Sequence, residues 1–116
     1  MNEAIRSVIE AQDWRIHDCN FGNGETGYEL EKYSPAWEDF ILTVTAKNLV
    51  QDIQQAATDF NADEHAEQWV RTRYESDRGK EMGIPDIRTL VKDADEIQEM
   101  LDALAGAVSK VMEGYV

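Results

Sequence analysis

The sequence predicts an α+β fold, a three-stranded antiparallel meander packed on helices, on three observations. The apolar period changes from helical spacing to strict alternation after residue 12 and returns to helical spacing beyond residue 47. Asn23-Gly24 stands between two alternating runs, a strong hairpin signal because both residues tolerate positive φ. Beyond Phe60 the apolar residues recur in threes and fours, so the second half is helical. At 116 residues the chain makes one domain, with 1–46 holding a helix and the meander and 47–116 the helical half. Such a chain buries roughly two thirds of its unfolded surface, so neither a disulfide nor a metal is required to hold it.

The elements follow in the order α-β-β-β-α-α-α. Residues 2–12 carry Ile5, Val8 and Ile9 at helical spacing. Trp14 and Ile16 then alternate with Arg15 and His17, and after the turn Tyr28 and Leu30 alternate with Glu29 and Glu31. Ser34-Pro35 ends the second strand, since Pro cannot donate to a ladder. In the third, Phe40, Leu42 and Val44 point one way and Ile41 and Thr43 the other. The meander therefore has one buried face for helices to cover. Residues 48–60 form the first covering helix, with Asn48 and Gln51 placed as a capping box. Asn61 and Glu64 repeat that signature at the head of a second helix, whose inner stripe reads Ala62, His65, Ala66, Trp69, Val70, Arg73 and Tyr74. Residues 75–85 are polar, hold Gly79, Gly83 and Pro85, and read as a loop. Ile87, Leu90, Ala94, Ile97, Leu101, Leu104, Val108, Val111 and Tyr115 make a heptad seam, on one helix or on two joined near Asp93.

Charge is the outlier of the composition. Asp and Glu number 24 against 11 Lys and Arg, a formal charge of −13 and a pI near 4.4. Direct binding to nucleic acid or an anionic membrane is disfavoured, because each requires a basic footprint. An acidic protein draws basic surfaces instead, although acidity also serves solubility alone. No apolar run approaches a membrane span, no signal-peptide core opens the chain, and Cys19 is the single cysteine. A cytoplasmic location is the expectation.

The candidates for chemistry are few. His65 lies among Asp63, Glu64 and Glu67, but none of these shares its helical face. Phe60 before the cap and His65 in the first turn are instead the two partners of a hydrophobic staple. His17 and Cys19 share a strand face, yet a zinc site needs a third ligand and a thiol nucleophile needs an oriented base. No phosphate loop, dinucleotide fingerprint, zinc-protease motif or nucleophile elbow is present. No catalytic residue, cofactor or metal is assigned. The heptad seam either packs against the chain's own sheet or zips with a second copy, its outer face made negative by Asp93, Asp95, Glu96, Glu99 and Asp102. Parallel self-pairing would be repulsive there unless Arg78, Lys80 and Arg88 compensate.

Three stretches together carry a resemblance: Tyr33-Ser34-Pro35-Ala36 running into Glu38-Asp39-Phe40, Asp63-Glu64-His65-Ala66-Glu67-Gln68-Trp69, and Gly83-Ile84-Pro85-Asp86-Ile87-Arg88. They resemble a group of small acidic proteins carried by phages, plasmids and integrative elements of gut Firmicutes. The likeness covers nearly the whole chain and departs at Trp37, where the group's pattern calls for Gly. It implies a mobile-element context among defence and counter-defence genes, and supplies no catalytic residues. The expected function is non-enzymatic: an acidic module, in its sharpest form an anti-CRISPR or antirestriction DNA mimic, that blocks a basic nucleic-acid site of a host nuclease or restriction component. Its expected contacts are Asp63, Glu64, Glu67, Asp95, Glu96, Glu99 and Asp102, with Trp37 at a hairpin tip. A homodimer through the C-terminal heptad helix is the alternative, and a small enzyme around His65 or His17 a third reading.

Overall fold

Alternation becomes a three-stranded sheet of order β1-β2-β3 in a computed structural model of the chain, which describes residues 1–34 and 39–114. Helix α1 (Glu3–Ala11) leads into β1 (Arg15–Gly22), β2 (Glu25–Tyr33) and β3 (Asp39–Thr45), all antiparallel. The helical half runs α2 (Leu49–Asp59), α3 (Ala62–Glu75), α4 (Asp77–Met82) and α5 (Ile87–Glu113). The α+β class and element order stand as the sequence predicts, with α4 added. Trp37 and Tyr115 lie outside the described residues.

The β1–β2 hairpin turns at Asn23 (φ 52°) and Gly24 (φ 78°), and the register slips between Asn20 and Gly22. Side chains opposite each other across the three strands fix the two faces. Leu30 pairs with Ile16 and Leu42, and Tyr28 with Val44, so these face the helices. On the opposite face Arg15, Glu31 and Ile41 stand in a row. Gly27 sits where the Phe21 ring and the Val44 carbonyl crowd in, so a Cβ there has no room.

The main core joins Ile5 and Ile9 of α1, Trp14, Leu30 and Val44 of the sheet region, Leu49 and Ile53 of α2, and Ile97, Leu101, Leu104 and Val108 of α5. Helix α5 spans 27 residues without interruption, about 40 Å at 1.5 Å per residue. The longest dimension of the molecule is 46 Å. Its C-terminal two thirds close the core; its first two turns project beyond α2 and pack against α3.

Three local expectations are corrected. Residues 77–82 form a short helix and not a loop, because Ser76 caps it, its hydroxyl accepting from the Gly79 N–H at 2.8 Å. Gly79 is buried against Arg73 of α3, an approach that leaves no space for a side chain. Asn48 makes no side-chain cap; the N-terminal corner of α2 is tied by Asp52, whose carboxylate accepts from the Thr45 N–H and hydroxyl at 2.8 and 2.7 Å. Asp93 does not restart a helix or belong to the outer acidic face: it is 2% exposed in the middle of α5.

Candidate functional site

Helices α3 and α5 lie side by side and run antiparallel: His65 meets Asp93, while Val70 and Tyr74 share a cleft with Leu90. The sequence positions them through caps. Asn61 Oδ1 accepts from the Glu64 N–H at 3.1 Å to start α3, and Asp86 Oδ1 accepts from the Thr89 N–H at 2.8 Å to start α5. The Thr89 backbone N–H also holds the Asp86 carboxyl below the ordinary carboxylate range, since it bonds the charged form.

The expected contact residues divide cleanly. Asp63, Glu64 and Glu67 are exposed on α3, and Asp95, Glu99 and Asp102 are exposed on α5. Glu96 is half-buried, 4.0 Å from Lys92 one turn back. The two acidic sets therefore project from neighbouring helices, and the field of each adds to the other. Where α3 meets the start of α5, Ala66, Val70, Tyr74 and Leu90 line a shallow apolar cleft of about 540 Å³, with Glu67, Arg71 and Glu75 on its rim.

His65 is the residue whose partner sequence reasoning missed. The expected staple is present: the His65 and Phe60 rings meet edge to face at 5.6 Å. Phe40 and Trp69 lie on its other sides at 6.4 Å each. Its Nε2 reaches Asp93 Oδ2 at 3.0 Å, an interaction spanning 28 residues. No local spacing reports such a pair; the only sequence signal is that Asp93 falls on the inner side of the heptad seam, between Leu90 and Ala94 and Ile97. Asp93 Oδ1 and Trp69 Nε1 are buried with no hydrogen-bond partner among the described residues. A half-buried imidazole walled by three rings and tied to a buried carboxylate is held in place by packing, which is a structural arrangement before a catalytic one.

The second histidine sits on the uncovered sheet face. His17 Nε2 lies 3.3 Å from Glu31 Oε1, a carboxylate that Arg15 also engages at 2.9 Å. Cys19 is half-buried on the same face, one register step along. Tyr33 and Ile41 are exposed beside them, with the Arg15 guanidinium 4.7 Å above the Tyr33 ring. Among the described residues no three His, Cys, Asp or Glu side chains gather as a metal site, and no helix is long and apolar enough to cross a membrane. No family model, no curated protein and no solved structure matches the chain.

Proposed function

We propose that the protein is a non-enzymatic binding module that docks its acidic helical surface on a basic site of another protein. The observation that carries this reading is the pairing of two exposed acidic sets on adjacent antiparallel helices: Asp63, Glu64 and Glu67 on α3, and Asp95, Glu99 and Asp102 on α5. Carboxylates fixed on helices at turn-sized intervals present a row of negative charge with little conformational freedom, which suits a site built for phosphates. The engagement of His65 with Asp93 and three aromatic rings favours binding over catalysis at the one histidine near this surface. The resemblance to acidic mobile-element proteins makes the sharpest form of the reading an anti-defence protein that occupies the nucleic-acid site of a host nuclease or restriction component.

The test is binding to basic host nucleases, measured by calorimetry across a salt series. Affinity should fall steeply with salt, and Glu64→Lys with Glu67→Lys should weaken it at least about tenfold, or 1.4 kcal/mol. Nuclease binding that ignores both the reversal and the salt sinks the proposal.

A further inference from the structure

The charge of the chain is distributed unevenly, and the exception coincides with its exposed apolar surface. Residues 71–92 hold six of the 11 basic residues and four of the 24 acidic ones, a local charge of +2. The remaining 94 residues carry −15. In the same segment lie Tyr74, Met82, Ile84, Ile87 and Val91, five of the nine large apolar side chains exposed among the described residues. Ile87 is 75% exposed. The end of the molecule made by α3, α4 and the first turns of α5 is therefore apolar, uncovered and free of the negative excess that would keep two copies apart.

The charges on α5 say what covers it. At 100° per residue Arg88, Lys92, Asp95 and Glu99 fall within a sector of about 60° on the side away from the core. All four are exposed. Along the helix the two bases come first and the two acids follow. An antiparallel copy related by a two-fold axis between residues 93 and 94 therefore sets Arg88 opposite the copy's Glu99, and Lys92 opposite its Asp95. Symmetry repeats both pairs, giving four complementary contacts in one isologous interface. Ile87 and Val91 flank this row on the same stretch of helix and line one shallow depression with it.

We infer that the N-terminal half of α5 pairs antiparallel with a second copy of this chain, through Arg88 and Lys92 on one copy and Glu99 and Asp95 on the other. The parallel zipper along the full heptad seam is closed to the protein, because Ala94, Ile97, Leu101, Leu104 and Val108 are already buried in its own core. The interface is short, about 20 Å of helix on each side, so the dimer is weak and concentration-dependent. Asp95 and Glu99 also belong to the acidic surface of the proposed function, so a second copy and a basic partner compete for them.

Sedimentation velocity on the full chain tests this without any partner, so the outcome is separable from that of the binding proposal. The wild-type mass should rise from 13.2 kDa towards twice that value with concentration. Arg88→Glu with Lys92→Glu makes the row wholly acidic, and Asp95→Lys with Glu99→Lys makes it wholly basic. Each variant alone should remain monomeric, and an equimolar mixture should recover the dimer. Circular dichroism should match wild type in both, since all four residues are exposed. A wild-type protein that stays monomeric at its solubility limit, or a dimer that survives both reversals, overturns the inference.

Discussion

At the head of α3, His65 touches both halves of the molecule: Phe40 of the sheet on one side and Asp93 of α5 on the other. The pair places a carboxylate only 1% exposed next to an imidazole whose side chain is 21% exposed. Removing one member strands the other. His65→Ala leaves Asp93 buried without its hydrogen bond and should cost about 3 kcal/mol in urea unfolding, the low end for a broken buried pair because His65 reaches solvent. Replacing both partners by apolar groups, His65→Phe with Asp93→Leu, should recover most of that loss. A double variant no more stable than His65→Ala alone would mean that the loss does not come from stranding the Asp93 carboxylate. Asp86 gives a second prediction at this scale. Its carboxyl is held below the ordinary range by the Thr89 N–H, so its capping contribution is present above the carboxylate's unfolded value. That contribution is lost as pH falls through the lower folded one. Amide protection factors at residues 88–90, which remove the intrinsic slowing of exchange in acid, should fall on acidification, and Asp86→Ala should show the lowered protection at neutral pH already.

Helix α5 is one sequence pattern with two fates. Leu104 is fully buried between sheet and helices, whereas Ile87, on the same heptad seam, lies at the projecting end that α2 does not reach. Leu104→Ala should therefore cost about 3 kcal/mol, while Ile87→Ala should stay within about 0.5 kcal/mol, both read by denaturant midpoint. Equal losses would mean that the projecting turns are covered. The contrast marks what was legible in the sequence. Periodicity reports that a side is apolar, and it located the strands, the hairpin at Asn23-Gly24 and the covering helices, because those depend on near neighbours. It does not report where a neighbouring element ends, so the exposure of Ile87, Val91 and Tyr74 was invisible in it. Helix α4 was missed because Gly79 and Gly83 read as breakers, although the first is needed for close packing on α3 and the second sits just past the helix end with φ 79°. Residue type alone puts Asp93 on the outer face, whereas its place on the seam side points inward. The acids of α3 and α5 were legible one by one, but their adjacency arises only from the antiparallel packing of the two helices.

Over the whole molecule, a formal charge of −13 pulls any basic protein weakly and without geometry, so acidity that serves solubility alone also yields some salt-sensitive binding. Position separates the two readings. Asp63→Asn, Glu64→Gln and Glu67→Gln together take the charge from −13 to −10 by neutralising one helix face. Glu10→Gln, Asp18→Asn and Glu25→Gln reach the same −10 at exposed sites on α1, β1 and β2. The two proteins carry the same total field at distances beyond about 8 Å, where physiological salt screens the details. They differ only in what a partner touching α3 would meet. A docking surface predicts that the first triple variant loses nuclease binding by about tenfold or more while the second keeps it. Equal losses would follow from net charge alone and would remove α3 from the contact surface. The same pair serves as a solubility control: both should shift their precipitation minimum upward from the pI near 4.4 by the same small amount, since that property counts charges and ignores where they sit.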